Sequence, residues 1–147
     1  MGRNRVIGQA GRLPWAIPDE YAHFLRSVAG HPVLFGRTSW EIFGRDLTDS
    51  RSIVVSRTAR RLPGAERFGD LDEALAALAD EPGTVFCAGG ASLYRQTLPR
   101  ADELHLSVIK AEPEGDARFP EIDPDDWRVE RREDHQAWEF RLHVRAR

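Results

Sequence analysis

The feature that most constrains this chain is a change of hydrophobic period along its length. Short unbroken apolar runs of strand length, Pro32 to Phe35, Ile53-Val54-Val55 and Thr84 to Ala88, occupy the first two thirds. A continuous β-branched run such as Ile53 to Val55 suits a strand covered on both faces, the environment of a parallel sheet. Near the end, Trp138, Phe140, Leu142 and Val144 alternate with Glu139, Arg141, His143 and Arg145. That period of two describes an antiparallel strand with one face toward solvent, and Trp127 to Arg131 is its expected partner.

Helical spacing fills the intervals. Pro18 suits a first helical position, with Asp19 and Glu20 complementing the positive end of the helix and Gly30 stopping it. Tyr21, Phe24, Leu25 and Val28 recur on one face. A short helix is predicted through Trp40 and Phe43. Another begins at Asp70, where Glu73 three residues on makes a capping-box-like start, and Leu71, Ala74, Leu75 and Leu78 form its apolar face. A further helix follows Gly89-Gly90 from about Ala91 to Leu98, and Leu104 to Ile109 reads as a strand. Residues 8–15 read as a loop. The expectation is a single α/β domain over residues 1–147, a mostly parallel central sheet flanked by helices with a C-terminal antiparallel hairpin. Such sheets bind ligands outside the carboxyl ends of their strands.

Composition excludes several classes. A formal net charge of −3, with 21 basic and 24 acidic residues, recruits neither nucleic acid nor an anionic membrane. No stretch approaches the roughly 20 apolar residues of a membrane span. The N-terminus lacks a signal-peptide run, and Cys87 is the single cysteine, so the expected location is cytoplasmic. The histidines show no metal-ligand spacing, so no metal is expected. Neither a nucleophile elbow nor a Walker loop occurs.

What remains is a set of cradles and one carboxylate. Ala88-Gly89-Gly90-Ala91-Ser92 joins a strand to a helix, where glycines let backbone approach a phosphate and the helix start offers N–H groups. Gly36-Arg37-Thr38-Ser39 repeats the theme with an arginine and two hydroxyls, and Ser56-Arg57 ends the next strand. Taken singly, each arginine also reads as a solvated surface residue. Three anion-capable strand ends in one small domain point to a nucleotide. Glu20 reads either as a first-turn acid complementing the helix dipole or as an inward-facing carboxylate. Its helical line with Phe24 and Ser27 puts it on a partly apolar face, which perturbs an acid.

In order and spacing, these segments resemble the dihydrofolate reductases along nearly the whole chain. The landmarks are Arg5-Val6-Ile7-Gly8, Leu13-Pro14-Trp15, Pro18-x-Glu20 with Phe24, Gly36-Arg37-Thr38-Ser39-Trp40-Glu41, Ser56-Arg57, Gly89-Gly90 with Tyr94, and Glu114-Gly115-Asp116 followed by Phe119-Pro120. The resemblance implies NADPH-dependent reduction of 7,8-dihydrofolate to tetrahydrofolate, with hydride passing to the pterin C6 and a proton to N5. It makes Glu20 the acid that hydrogen-bonds the pterin, supported by Ser107, with Trp15 and Leu13 in a loop that closes over the nicotinamide. Leu13, Tyr21, Phe24, Phe43, Leu47, Ala88 and Tyr94 match the substrate pocket. Ile7, Gly36, Arg37, Thr38, Ser39, Ser56, Arg57, Gly89, Gly90, Ala91, Ser92, Leu93 and Gln96 match the cofactor site, with Arg37 and Arg57 placed for the 2′-phosphate. A cis Gly89–Gly90 bond and a monomer binding only small molecules are also implied.

Two departures qualify the match. The family's arginine that clamps the folate glutamate stands at the position of Ser50, and Arg51 next door is expected to point the other way. That opens a second reading, a reductase of a tail-less pterin or of a riboflavin-pathway pyrimidine. Family members also carry an apolar central strand before the Asn4-Arg5-Val6-Ile7-Gly8 match, of which only Met1 to Arg3 are present here. The expectation is therefore a sheet lacking its first central strand, with about seven further residues upstream in the functional protein. A third reading is a relative that binds nucleotide without turnover.

Overall fold

The computed structural model describes residues 1–58 and 61–146. The chain runs β1 (Val6–Gly8), α1 (Pro18–Val28), β2 (Val33–Gly36), α2 (Arg37–Phe43), β3 (Ser52–Val55), β4 (Glu66–Phe68), α3 (Leu71–Ala77), β5 (Phe86–Cys87), α4 (Ala91–Thr97), β6 (Glu103–Ile109), β7 (Ala117–Arg118), β8 (Trp127–Asp134) and β9 (Trp138–Arg145). Four parallel strands form one sheet in the order β4-β3-β2-β5, and β6-β9-β8 form an antiparallel one. The predicted change of period marks the division between them. Ile53 and Val54 are fully enclosed, as an unbroken apolar run requires.

The two sheets are held together by helices. On one side, Val28, Phe24 and Leu25 of α1 pack on Val33, Phe35, Ala88 and Phe86. His23 of the same helix lies against Phe140 and Trp138 of β9, with ring centroids at 4.6 and 5.3 Å. On the other side, Leu93 of α4 packs with Leu34 and Ile53, while Tyr94 and Leu98 meet Leu104, Leu106 and Val108 of β6. Among the described residues no strand lies between β5 and β6. Met1 and Gly2 reach only the end of β6, where Ile109 N–H donates to Met1 C=O at 2.7 Å and Gly2 bridges Ile109 in parallel.

Local signals explain most boundaries. Asp70 caps α3 by accepting from Glu73 N–H at 2.8 Å, and Glu73 returns a bond from Gly69 N–H at 3.2 Å. Gly30 follows α1 with φ +77, a conformation that glycine adopts without cost. The run 84–88 pairs as a strand only at Phe86–Cys87. Three short strands carry no hydrophobic period and escape sequence reading. β4 is Glu-Arg-Phe at a sheet edge, and β1 and β7 pair with each other in a two-stranded ribbon. A bulge between Val129 and Arg131 shifts the β8–β9 register, and beyond it His143 rather than Leu142 is the buried residue.

Candidate active site

Glu20 occupies the first turn of α1 and is half-buried. Burial raises its carboxyl above the usual range, while a hydrogen bond from the Ser107 hydroxyl on β6 opposes that rise. The neighbouring Asp19 differs in every respect. It is exposed and accepts a hydrogen bond from Trp138 Nε1 at 2.9 Å, which lowers its pKa and pins the start of α1 to β9. The two acids are thus divided between a crevice and an anchor.

Beyond Glu20 the crevice is aromatic. Tyr21, Phe24 and Phe43 form a trio with centroid separations of 5.2 to 6.1 Å. The Tyr21 hydroxyl donates to Asp46, fixing α1 against the turn after α2. Leu47 and Ala88 are buried in one cluster with Phe24 and Phe43. Tyr94 packs on Phe119 at 4.7 Å, and burial pushes its phenol above the ordinary value. Trp15 packs with Ile109, Trp138 and Phe140, and its indole N–H is buried without a protein partner. An orphaned donor of this kind suits a polar ligand atom or a water.

The phosphate end is built largely from backbone. The carboxyl ends of β3, β2 and β5 lie side by side and lead into Ser56, Gly36 and Gly89. Strand order reverses between β2 and β5, the position at which open α/β sheets bind nucleotides. There Gly36 N–H donates to Gly89 C=O at 2.6 Å, across a cis Gly89–Gly90 bond. A Cβ on Gly36 would stand 3.6 Å from Gly89 O and Gly90 N, and one on Gly90 would stand 3.7 Å from Ser39 Oγ. Helices α2 and α4 start from Gly36 and Gly90 with no side chain capping them, so their first N–H groups are available to an anion. Such a cradle fits the pyrophosphate of a dinucleotide.

The remaining predicted cofactor residues are placed unevenly. Arg37 is exposed and paired with Glu41 at 3.1 Å, and Arg57 is exposed at the end of β3. Thr38 is exposed and Ser39 buried. Ala91 opens α4, and Leu93 faces the core, leaving only its backbone toward the cradle. Gln96 bonds back to Ser92 within α4. Ile7 packs in the cluster that holds Tyr94 and Phe119. Leu13 is half-buried in the loop before α1. The tip of this loop, at Gly11, lies close enough to Thr38 that a Cβ there would be 3.9 Å from its methyl.

Sequence reading overlooked several supporting residues. Arg67 of β4 reaches back to donate to the Ser56 and Arg57 carbonyls at 3.0 Å each, bracing the end of β3. Asp116 accepts from Ala10 N–H at 3.3 Å and donates its own N–H to Gly8 C=O at 3.1 Å, tying down the 8–17 loop. At Gly115 a Cβ would come within 2.3 Å of Val6 and 2.4 Å of Gly8 O. The motif Glu114-Gly115-Asp116 was legible, but not what it touches.

Comparison with known proteins agrees with this geometry. The family model described as dihydrofolate reductase matches residues 1–144. The dihydrofolate reductase HdrB of Haloferax volcanii is 40% identical, the alignment covering 93% of this chain and 76% of that protein. The type 3 dihydrofolate reductase of Salmonella typhimurium is 38% identical over 93% of this chain and 85% of its own length. Among solved structures, dihydrofolate reductase from Enterococcus faecalis complexed with NADP(H) and RAB-propyl superposes with a TM-score of 0.89 at 25% identity. That match covers 99% of this chain and 92% of the other.

Proposed function

The chain belongs to the dihydrofolate reductase family, and on that premise we propose that Glu20 is the carboxylate that binds the pterin and promotes its protonation. The protein is an NADPH-dependent oxidoreductase that reduces dihydrofolate to tetrahydrofolate. NADPH supplies the hydride. The imine bond of the dihydropterin accepts it at C6 and takes a proton at N5, so that one hydride and one proton convert C=N to CH–NH.

The observation that carries the assignment is the contrast between the adjacent acids. Glu20 alone is half-buried, raised in pKa and supported by Ser107, and it borders the aromatic trio. In such surroundings a carboxylate accepts two hydrogen bonds from a flat amino-heterocycle and draws positive character toward it. Ser107 orients Glu20. Tyr21, Phe24, Phe43 and Leu47 supply apolar walls for the ring and its extension. The Trp15 indole N–H supports a water that passes the proton to N5. Gly36, Thr38, Ser39, Gly89 and Gly90 hold the pyrophosphate, and Arg37 with Arg57 takes the 2′-phosphate, which favours NADPH over NADH. The 8–17 loop closes over the nicotinamide. We infer a cytoplasmic monomer. Among the described residues, no helix is long and apolar enough to cross a membrane.

A second reading, turnover of a tail-less dihydropterin, draws on one observation. Ser50 Oγ donates to Val28 C=O at 3.0 Å, and Arg51 is held by Glu66 and Glu81 at 2.6 to 3.0 Å. Neither residue presents a free cation to a substrate carboxylate. The test is NADPH oxidation with dihydrofolate and with a tail-less dihydropterin, in the protein and in Glu20→Gln. Turnover of dihydrofolate that Glu20→Gln abolishes is expected. Equal turnover in the variant would remove Glu20 from the mechanism.

A further inference from the structure

We propose that Arg12, on the loop before α1, is a further cofactor-binding residue whose guanidinium holds the dinucleotide pyrophosphate from the loop side. The proposal rests on the reading of the glycine cradle as the pyrophosphate site. It starts from where the loop tip is placed. Gln9 and Arg12 exchange backbone hydrogen bonds at 2.9 and 3.0 Å. Between them Ala10 and Gly11, with φ 49 and 75, make a two-residue turn. Asp116 ties this turn down by accepting from Ala10 N–H at 3.3 Å and donating its own N–H to Gly8 C=O at 3.1 Å. The tip is thereby set beside Thr38, whose methyl is 3.9 Å from where a Gly11 Cβ would stand. Thr38 belongs to the turn of α2 that follows Gly36, so Arg12 stands next to the cradle.

The backbone of Arg12 is fixed, yet its side chain is uncommitted. The residue is exposed, and among the described residues it makes no ion pair and no side-chain hydrogen bond. Such a cation gives up little backbone freedom when an anion arrives, because its main chain is ordered already. The cradle has the complementary need. Its donors are the first N–H groups of α2 and α4, which carry only partial charge. Arg37 is shared with Glu41 at 3.1 Å, and Arg57 stands one strand further out, at the end of β3. A doubly charged pyrophosphate there meets helix starts, hydroxyls and a half-neutralised arginine. Arg12 is the full cation that the loop tip adds, and its planar fork suits two phosphate oxygens.

This contact gives the loop a reason to close that does not involve the nicotinamide. Leu13 and Trp15 follow Arg12 directly in the chain, so a guanidinium drawn to the phosphate holds them at the crevice. The ligand group that fills the cradle then also orders the loop. Arg12 differs in signature from Arg37 and Arg57. The pyrophosphate is common to NADPH and NADH, so loss of Arg12 weakens both alike, whereas loss of the other two is confined to NADPH.

The test uses 2′-phospho-ADP-ribose, which keeps the pyrophosphate and lacks the nicotinamide, and reads amide exchange in the loop. In the parent, the probe should slow exchange at Gly11, Arg12 and Leu13 by about tenfold or more. In Arg12→Met, which keeps an unbranched side chain and loses the charge, that protection should be absent. The probe, NADPH and NADH should each bind this variant about five- to tenfold more weakly, as expected of a charge-assisted contact at an exposed rim. Arg12→Lys should restore part of both effects, since a point charge replaces a fork, and added salt should narrow the gap between parent and Arg12→Met. Equal protection and affinity in parent and Arg12→Met would overturn the proposal and leave the cradle standing. So would a loss confined to NADPH, or a loop protected by NADPH and not by the probe. Failure of the probe to bind the parent at all would overturn the cradle reading and the proposal together. None of these readouts depends on turnover, so the outcome is independent of the assignment of Glu20.

Discussion

The two half-sheets bring different chemistry to one crevice. The parallel half contributes strand ends and helix starts, and what it offers a ligand is mostly backbone N–H on glycine-rich turns. The antiparallel half, together with α1, contributes side chains: Glu20, Ser107, Trp15 and the rings around them. A phosphate is large, symmetric and multiply charged, so an array of donors with no individual specificity suffices to hold it. A pterin must be held at one carboxylate in one orientation, which requires a group whose protonation and position are both set by neighbours. The first kind of site fails when space is lost. The second kind fails when a single atom is changed.

The sharpest test of that difference is Glu20→Gln. It keeps size and hydrogen bonding but removes the ionisable oxygen, and hydride transfer should fall by roughly 10²–10⁴-fold while NADPH binding is preserved. Asp19→Ala should leave turnover nearly intact. Its cost falls on folding, since Trp138 Nε1 loses its acceptor. Single-turnover kinetics and thermal denaturation separate the two. Larger damage to hydride transfer from Asp19→Ala would reverse the roles assigned to crevice and anchor.

In the parallel half the equivalent test adds a single carbon. Gly89 has φ +88, and a Cβ there would meet the Tyr94 ring at 2.9 Å. Gly89→Ala should weaken NADPH binding by roughly ten- to a hundredfold, from a backbone cost of about 1–3 kcal/mol. Replacing Arg37 and Arg57 together with Ala should have a smaller effect, confined to NADPH and leaving NADH binding unchanged, and added salt should shrink it. Titration of both cofactors checks this. Loss of NADPH and NADH affinity in equal measure would show that the arginines support the cradle rather than read the 2′-phosphate.

The halves also differ in how legible they are from sequence. The parallel half announces itself through Ile53-Val54-Val55 and the paired glycines, because burial on both faces and close backbone approach each impose a composition. Glu20 could be placed by its helical line with Phe24, but not its environment. The Ser107 hydroxyl that supports it is 87 positions away along the chain and carries no motif of its own. Arg67 was invisible for the same reason: its function is to brace the carbonyls of another strand, and carbonyls have no sequence. Asp19 and Glu20 look interchangeable as first-turn acids until Trp138 is seen to engage one of them. Short strands such as β1 and β7 escape because two or three residues cannot show a period.

Ser50 tests the outer rim, where neither half supplies a strong anchor. With Ser50 bonded to Val28 and Arg51 turned to its glutamates, the tail of dihydrofolate has little to hold it. Dihydrofolate and a tail-less dihydropterin should therefore differ modestly in kcat/KM, and Ser50→Arg should improve dihydrofolate selectively by about three- to tenfold, less than a fully formed bidentate contact provides. A strong preference for dihydrofolate that Ser50→Arg leaves unchanged would mean that another cation on the rim already binds the tail.

The smallest expected effect concerns stability, and its sign separates a functional acid from a structural one. Burial raises the Glu20 carboxyl in the folded protein, so the folded state holds this proton more tightly than the unfolded chain does. The contribution of Glu20 to stability is complete below its unfolded value near 4.5 and is lost as pH rises through the raised folded value. At neutral pH the ionised form is then less favourable to the fold than the protonated one, a cost that the proposed catalytic role would account for. Glu20→Gln should consequently unfold at a higher temperature than the parent at pH 8, with the advantage vanishing near pH 4. Asp19 has the opposite shift, so Asp19→Asn should lower stability at neutral pH and converge with the parent as acid protonates the carboxylate. Thermal denaturation of both variants across this range decides the matter. A Glu20→Gln protein less stable than the parent at pH 8 would show that the carboxylate is held in place for the fold, and the division between anchor and crevice would have to be redrawn.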